Sequence, residues 1–176
     1  GAVYTDDDTL AKKIRILANH GMDKRYYHDL VGLNSRLDSM QAAILDVKLK
    51  YLDDYNEKRR NSAIRYSNNL KRINNIITPN LPLDTQGHVF HQYTLRILNS
   101  KRDLLIEYLT KNCIPYGIYY PVPLHNQKAY YSSEVDDKFF PETNRAVNEV
   151  VSLPMHTELS NDQIDYISEK IIKFLR

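Results

Sequence analysis

The chain has 176 residues, 42% hydrophobic and 26% charged, which is typical of a globular protein with a hydrophobic core. The formal net charge is +2 and the basic residues are spread along the chain, so the sequence has no electrostatic footprint for nucleic acid. A single cysteine, Cys113, excludes an internal disulfide bond and suits a reducing compartment; we expect it to be buried at a helix end. No apolar run reaches membrane-spanning length, so we expect a cytoplasmic protein without a membrane segment.

The first residues predict a short strand at 2–4, followed by a helix over 9–19. Gly21 ends this helix, because glycine readily adopts the left-handed conformation found after helices. Residues 22–33 show no clear period and predict an irregular connection. The chain begins at Gly1 with a strand-like run and no initiator methionine, which predicts a piece cut from a longer protein.

The longest regular pattern covers residues 34–73 and predicts one continuous helix. It contains no glycine or proline, and its apolar residues recur at helical spacing. Ser35 and Asp38 form a capping-box pattern at its start. Such a helix would be roughly 55 Å long, longer than a small domain is wide. We therefore expect it to bridge two bodies or to pair with a partner.

The second half of the chain alternates strands and helices after a turn-rich link over 74–87, which marks a domain boundary. The predicted elements are a strand over 88–98, a helix over 102–111, a strand over 114–120, a short helix around 127–131, a helix over 142–151, a short strand over 152–154 and a last helix capped by Ser160. This order predicts a small α+β layer with helices on one side of a short sheet. The chain would then hold a remnant of one domain, a bridging helix and a complete small domain.

No motif of a self-contained active site is present, since the sequence lacks metal-ligand spacing, a nucleophile elbow and a glycine-rich phosphate loop. Polar candidates lie at the ends of elements, and each has a structural alternative. From spacing alone, Asn34 is favoured as a helix cap and Arg36 as one side of a surface ion pair. Tyr119 and Tyr120 could simply fill a strand, and His125 could anchor a loop. Composition and spacing alone predict only a soluble α/β fragment.

Residues 32–45 read Gly-Leu-Asn-Ser-Arg-Leu-Asp-Ser-Met-Gln-Ala-Ala-Ile-Leu. This run resembles the G-x-N-x-R-L-D-x-x-Q-A-A-I-L segment of the DegT/DnrJ/StrS-type nucleotide-sugar aminotransferases, which are pyridoxal-phosphate (PLP) enzymes of the aspartate-aminotransferase fold. Further segments resemble later landmarks of that family in the same order, namely 1–3 with His20-Gly21, 91–96, 119–127 and 152–156. The resemblance extends over essentially the whole chain.

The resemblance implies an α/β PLP-dependent transferase of fold type I. Residues 1–33 would be the remnant of the large cofactor-binding domain, 34–78 a long interdomain helix and 79–176 a complete small α+β domain. In the family, the Schiff-base lysine that binds the cofactor lies a short way upstream of the segment in which this chain starts. The chain would therefore hold no catalytic residue and no metal site, and would be inactive alone.

The resemblance also implies binding roles for particular residues. Asn34 would reach the PLP phosphate of the partner subunit in a homodimer, as an amide donor at a helix start. Arg36 would bind the nucleotide-sugar by charge-assisted bonds, and Tyr119 and Tyr120 by stacking and hydroxyl contacts. His125 belongs to the same motif as the tyrosines and is a further candidate for substrate binding. Many family members have histidine where Tyr119 stands.

The implied reaction converts a nucleotide-linked keto sugar to an amino sugar, with glutamate as the amino donor, for cell-surface polysaccharide or amino-sugar biosynthesis. Two other function classes remain. One is a non-catalytic dimerisation or interaction module built on the long helix. The other is a nucleic-acid-binding fragment, which the scattered charge disfavours.

Overall fold

A computed structural model describes residues 1–81, 87–130 and 135–176. It divides the chain into two compact units, Gly1–Tyr51 (unit 1) and Leu52–Arg176 (unit 2). None of the helices in these described ranges combines the length and apolar character needed to cross a lipid bilayer.

Unit 1 contains two helices and one antiparallel hairpin. Helix α1 (Asp8–Ala18) is capped by Asp7, whose carboxylate accepts hydrogen bonds from two backbone N–H groups of the first turn. The hairpin joins β1 (Met22–Lys24) to β2 (Tyr27–His28), and α2 (Ser39–Leu49) follows. No apolar side chain of unit 1 is buried. Backbone hydrogen bonds, rather than a core, therefore hold this unit together.

The single helix predicted over 34–73 is wrong, because the structure forms two helices. Helix α2 begins only at Ser39, where Asp38 accepts a hydrogen bond from the backbone N–H of Gln41 at 2.9 Å. Helix α3 (Leu52–Leu70) follows a two-residue turn. That turn contains no glycine or proline, so neither the residue types there nor the apolar spacing indicated that the helix is interrupted. The predicted domain limits, 1–33, 34–78 and 79–176, stay predictions.

Unit 2 is built on a three-stranded antiparallel sheet. Strand β4 (Tyr93–Ile97) is central, with β3 (Ile76–Ile77) on one side and β5 (Val150–Leu153) on the other. Alternate residues of β4 are fully buried, as expected of a strand with one face on a core. These residues are Tyr93, Leu95 and Ile97. The strand predicted over 88–98 is therefore confirmed in its second half.

The described part of unit 2 also contains the α-helices α4 (Arg102–Lys111), α5 (Pro141–Glu149) and α6 (Asn161–Leu175). The helices predicted over 102–111 and after Ser160 are confirmed. The Ser160 hydroxyl and the Gln163 side chain form a reciprocal capping box at the start of α6. The sheet and helices α3, α4 and α6 enclose one core, formed by Ala63, Tyr66, Leu70, Phe90, Tyr93, Leu95, Ile97, Leu105, Leu109, Ile114, Val151, Leu153, Ile164, Ile167, Ile171 and Leu175.

Three short elements differ from the sequence prediction. The strand predicted over 114–120 is wrong, because Gly117 forms only an isolated bridge to Ser152 and nearby prolines lack the N–H groups that a ladder needs. Residues 2–4 have no strand partner within the described residues. The connection over 22–33 contains the β1–β2 hairpin, whose strands are too short to show a period.

Two further predictions concern the loops of unit 2. The short helix predicted around 127–131 is one turn of 3-10 helix at Leu124–Asn126, while Tyr131 lies outside the described residues. The predicted link over 74–87 includes 82–86, which are also outside them, and its described part contains β3. Cys113 is exposed rather than buried, because it occupies a left-handed turn (φ 56°) after α4.

An ion pair joins α3 to α6 at the edge of the core. Arg65 Nε donates to Asp165 Oδ1 at 2.8 Å, and a second guanidinium nitrogen contacts Oδ2. Asn69 Nδ2 also donates to Asp165 Oδ1, at 2.9 Å. Arg65 and then Asn69 stabilise the carboxylate, which lowers the pKa of Asp165 to about 2.

A buried hydroxyl pair joins α3 to β4. Ser67 Oγ and the Tyr93 hydroxyl lie 2.8 Å apart, and the Tyr93 ring stacks on Tyr66 with ring centroids 5.0 Å apart. Burial raises the pKa of Tyr93 to about 12, so the phenol stays neutral, and one of the two hydroxyl groups donates a hydrogen bond to the other.

We expect Asp165→Asn to lower the thermal midpoint of unfolding at pH 7. The pKa of Asp165 is lower in the folded protein than its ordinary value of 3.8, so its contribution to stability is present above about pH 4 and is lost as the pH falls towards about 2. The difference in thermal midpoint between Asp165→Asn and wild type should therefore shrink as the pH falls from about 4 to about 2. Thermal melts at a series of pH values measure this difference. Glu169→Gln, the same charge change at an exposed position of α6, is the control; an equal effect of both variants would contradict the prediction.

We expect Tyr93→Phe to lower the free energy of unfolding by about 1–3 kcal/mol, because it leaves the buried Ser67 hydroxyl without this partner. Urea unfolding measures the difference. Tyr108→Phe is the matched control, since the structure shows a ring contact with Phe174 for Tyr108 and no hydrogen bond of its hydroxyl within the described ranges. Equal losses in the two variants would mean that the hydroxyl pair contributes nothing specific.

Candidate functional site

The C-terminal end of α1 holds the segment that carries Asn34. The backbone N–H of Leu33 donates to Leu17 O at 2.8 Å, and that of Ser35 donates to Ala18 O at 2.9 Å. A helix end leaves its last carbonyl groups without partners inside the helix, and these bonds satisfy two of them. The backbone on both sides of Asn34 is therefore fixed against α1.

Two glycines permit this close approach of the chain to itself. Gly21 has a φ of +75°, and a Cβ there would lie 1.8 Å from the carbonyl oxygen of Leu30. A Cβ on Gly32 would lie 2.1 Å from the backbone nitrogen of Gly21. Any side chain at either position would push the two segments apart.

Asn34 and Arg36 form an exposed pair. Arg36 Nε donates to Asn34 Oδ1 at 3.3 Å, so the amide NH₂ group and the outer guanidinium nitrogens remain as donors. Asn34 lies five residues before α2, so its interpretation as a helix cap is wrong, and so is its predicted position at a helix start. Asp38 occupies that position instead. In the described part of the chain, Arg36 pairs with Asn34 and not with an acidic side chain.

The β1–β2 hairpin carries a basic and aromatic group that the sequence reasoning missed. Lys24 Nζ lies 4.9 Å from the centroid of the Tyr27 ring, and the Arg25 guanidinium carbon lies 4.8 Å from that of Tyr26. The two tyrosines are 75% (Tyr26) and 60% (Tyr27) exposed. Each cation is held over a ring by cation–π attraction and still faces solvent. In the sequence, this group is visible as the consecutive run Lys-Arg-Tyr-Tyr at residues 24–27.

Tyr119 and Tyr120 lie together in unit 2, with ring centroids 5.8 Å apart in an edge arrangement. Both line a cavity of about 450 Å³ between the segment after Gly117 and helix α5. Tyr119 also lines a second cavity, of about 290 Å³, beside His91. The two tyrosines therefore offer aromatic surface and hydroxyl groups to a ligand from the same side.

Arg96 lines the first cavity and forms an ion pair with Glu149, which is not one of the lining residues. Arg96 Nη2 lies 2.7 Å from Glu149 Oε2, and Arg96 Nε donates to the same oxygen at 2.8 Å. Glu149 balances the charge of Arg96, and most of the other lining side chains are apolar or aromatic. The cavity suits the uncharged part of a ligand, in contrast to the Asn34–Arg36 pair.

His125 belongs to a hydrogen-bonded loop network. Its Nε2 lies 2.8 Å from Asp137 Oδ1, and its ring stacks on Phe140 with centroids 4.4 Å apart. Asn126 Nδ2 donates to the same oxygen of Asp137 at 2.9 Å. The bonds from Asn126 and His125 lower the pKa of Asp137. This arrangement matches the structural alternative for His125, and its contact with substrate stays a prediction.

The structure therefore brings the predicted residues into two groups, Asn34 with Arg36 in unit 1 and Tyr119 with Tyr120 in unit 2. His125 lies in the same segment as the tyrosines. Across the described residues, no three His, Cys, Asp or Glu side chains gather as a metal site. The chemistry offered is binding through donors, cations and aromatic rings.

A profile of the DegT/DnrJ/EryC1/StrS aminotransferase family matches residues 1–172. The chain belongs to this family. The match covers both units and includes every residue of the two groups above. The predicted resemblance is confirmed at the level of the family.

Curated relatives show which proteins the chain is similar to. It is 42% identical over 177 residues to a pleiotropic regulatory protein of Geobacillus stearothermophilus, covering 100% of this chain and 47% of the relative. It is 38% identical to dTDP-3-amino-3,6-dideoxy-alpha-D-galactopyranose transaminase of Aneurinibacillus thermoaerophilus, covering 99% and 46%. The chain thus spans about half the length of these relatives.

Solved structures confirm the fold class. S. venezuelae DesV, solved with a ketimine intermediate, superposes with a TM-score of 0.88 at 32% identity, covering 98% of this chain and 46% of that one. A DegT/DnrJ/EryC1/StrS aminotransferase from Brucella abortus gives 0.85 at 36% identity, covering 98% and 45%. NtdA from Bacillus subtilis, at 27% identity, was solved with bound cofactor PMP, the amino form of PLP. The predicted α/β aminotransferase fold is therefore confirmed.

Proposed function

We propose that this chain is the C-terminal portion of a PLP-dependent transaminase that converts a nucleotide-linked keto sugar to an amino sugar, with glutamate as amino donor. The complete enzyme is proposed to be a cytoplasmic homodimer with shared active sites. The observation that carries the proposal is the Asn34–Arg36 donor pair, held against α1 inside the segment that resembles the family motif. Relatives named as dTDP- and UDP-sugar aminotransferases support the substrate class.

The residues present fit a phosphate-bearing cofactor. A phosphate group at neutral pH offers acceptor oxygens, and Asn34 keeps its NH₂ donor available because the bond to Arg36 uses only its amide oxygen. In the proposed dimer, Asn34 donates to the phosphate of the cofactor bound by the partner subunit. Pyridoxal phosphate, when bound, supplies the electron sink that transamination requires.

The same segments fit a sugar nucleotide. After bonding to Asn34, Arg36 retains donors for a diphosphate oxygen, and Lys24 and Arg25 on the hairpin add positive charge. Tyr119 and Tyr120 provide stacking surface and hydroxyl groups for the sugar or base. His125 is the remaining candidate for a substrate contact. These side chains bind and orient a ligand, and none acts as a nucleophile.

We propose that Lys12 and Lys24 do not replace the Schiff-base lysine of the family. Lys12 Nζ lies 2.7 Å from Asp23 Oδ2, and this bond raises the pKa of Lys12, which favours the protonated amine. A protonated amine cannot attack a carbonyl carbon. Lys24 is placed over a tyrosine ring. The chain alone is therefore proposed to be inactive.

A non-catalytic dimerisation or interaction module is the second candidate. The observation that favours it is the exposure of the apolar side chains of α2, which lie on several sides of that helix. They include Met40, Ile44, Leu45, Val47 and Leu49. Such a surface suits burial against another protein surface.

Turnover by the complete protein separates the two candidates. We expect the complete protein with PLP and glutamate to aminate a dTDP- or UDP-linked keto sugar, with the amino sugar detected by mass spectrometry. Residues 1–176 alone, assayed in parallel, should give no product. If the complete protein yields no amino sugar from either nucleotide class, the interaction module becomes the better proposal.

We expect Asn34→Ala in the complete enzyme to weaken cofactor retention by about tenfold, because one hydrogen bond to a charged phosphate is lost. Titration of the cofactor absorbance against free PLP measures this affinity. Asn34→Asp, which has the same size, should weaken retention further because a carboxylate repels the phosphate. Unchanged affinity in both variants would remove Asn34 from the cofactor site.

For Arg36→Ala we expect the KM for the sugar nucleotide to rise about tenfold while the cofactor stays bound, because the guanidinium is proposed to contact substrate. Steady-state kinetics and the cofactor absorbance are measured on the same sample. Arg36→Lys keeps the charge but loses the planar fork and should recover only part of the loss. A wild-type KM in Arg36→Ala would contradict this role.

A further inference from the structure

The cavity beside the two tyrosines has two walls from different parts of unit 2. One, here called the tyrosine wall, consists of Tyr119, Tyr120, Val122, Pro123 and Leu124. The opposite side, here called the α5 wall, consists of Glu142, Thr143, Ala146 and Val147. The distance between these walls sets the size of any group that the cavity can hold.

The tyrosine wall lacks regular secondary structure beyond the 3-10 turn at Leu124–Asn126. The backbone hydrogen bonds of residues 121–130 are local, for example from Asn126 N to Pro123 O and from Gln127 N to Leu124 O. Within the described residues, the hydrogen bonds that leave this segment come from His125 and Asn126, and both end on Asp137 Oδ1. Asp137 is thus the hydrogen-bonding anchor of the segment.

Asp137 is also bonded to helix α5, which carries the α5 wall. Its backbone oxygen accepts a hydrogen bond from Asn144 Nδ2, on α5, at 2.9 Å. The ring of His125 stacks on Phe140, the residue that precedes α5. Asp137 therefore connects the segment that follows the tyrosine wall to the helix that carries the α5 wall, through its carboxylate on one side and its backbone oxygen on the other.

The side chains of this network do not line the cavity themselves. The lining residues include neither His125, Asn126 nor Asp137, and the His125 side chain is only 12% exposed. A histidine whose ring is covered by Phe140 and whose Nε2 is bonded to a carboxylate has little surface left for a ligand. Any effect of these residues on a ligand must pass through the position of the tyrosine wall.

We propose that Asp137 is a positioning residue of the sugar-nucleotide site, and that His125 acts on substrate binding through Asp137 rather than by touching the substrate. This inference rests on the proposed function and extends it. The carboxylate holds the tyrosine wall at a fixed distance from the α5 wall, so that the cavity is formed before the substrate arrives.

The test compares variants of the complete enzyme. Asp137→Ala should raise the KM for the sugar nucleotide about five- to tenfold, with kcat within about twofold of wild type and the cofactor absorbance unchanged. Asp136→Ala is the matched control, because it removes the neighbouring carboxylate, whose bonds among the described residues go to Lys138. A wild-type KM in Asp137→Ala, or an equal rise in Asp136→Ala, overturns the proposal.

A double-mutant cycle separates positioning from contact. His125→Phe keeps a ring to stack on Phe140 but removes the bond to Asp137. If His125 acts through Asp137, the double variant should have a KM no higher than that of the worse single variant. If the KM increases of the two single variants multiply in the double variant, His125 touches the substrate independently of Asp137, and the proposal is overturned. If Asp137→Ala does not fold, His125→Phe and Asn126→Ala can replace it. Each removes one bond to Asp137 Oδ1, and each should raise the KM for the sugar nucleotide.

Limited proteolysis tests the anchor without reference to activity. Lys128 lies in the anchored segment and is exposed, so trypsin should cleave after it several times faster in His125→Phe and Asp137→Ala than in wild type or Asp136→Ala. Equal rates in all four proteins overturn the anchor. If the wild-type enzyme shows no transaminase activity while cleavage follows this pattern, the proposed function fails and the anchor stands.

Discussion

The close approach of Gly21 and Gly32 is the constraint on which the position of the Asn34–Arg36 pair depends. Because neither residue has a side chain, the segment after Gly32 can reach the last carbonyl groups of α1 and satisfy them. Those backbone hydrogen bonds fix the position of Asn34, which is not part of a helix. Backbone packing of this kind holds the amide without a hydrophobic core around it, which unit 1 does not have.

Unit 2, in contrast to unit 1, is held together by a hydrophobic core. Its core joins β4 to helices α3, α4 and α6, and polar links such as the bond between Ser67 and Tyr93 lie inside that core. The cavity beside Tyr119 lies where regular structure ends, so its shape depends on hydrogen bonds between loops. The chain therefore carries two kinds of candidate binding surface, one held by backbone bonds to a helix end and one held by the Asp137 anchor.

Sequence patterns predicted the elements whose local signals and packing agree. Helix α6 is an example, since the Ser160 capping box and its apolar spacing both mark the same helix. The interruption before α3 could not be predicted, because nothing in the local pattern differs there. The site was only partly predictable: the family motif marked Asn34, but its bonding to Arg36, and that of His125 to Asp137, join residues without periodic spacing. Hydrogen bonds between polar side chains leave no trace in apolar periodicity.

The exposure of Cys113 has a practical consequence. It is the sole thiol in these 176 residues, and it follows α4 at the surface of unit 2, where it borders a cavity of about 380 Å³. A maleimide-linked fluorophore or spin label would therefore attach to this stretch at one defined place, without any cysteine having to be removed or introduced. Distances between that label and a second probe would report the position of unit 2.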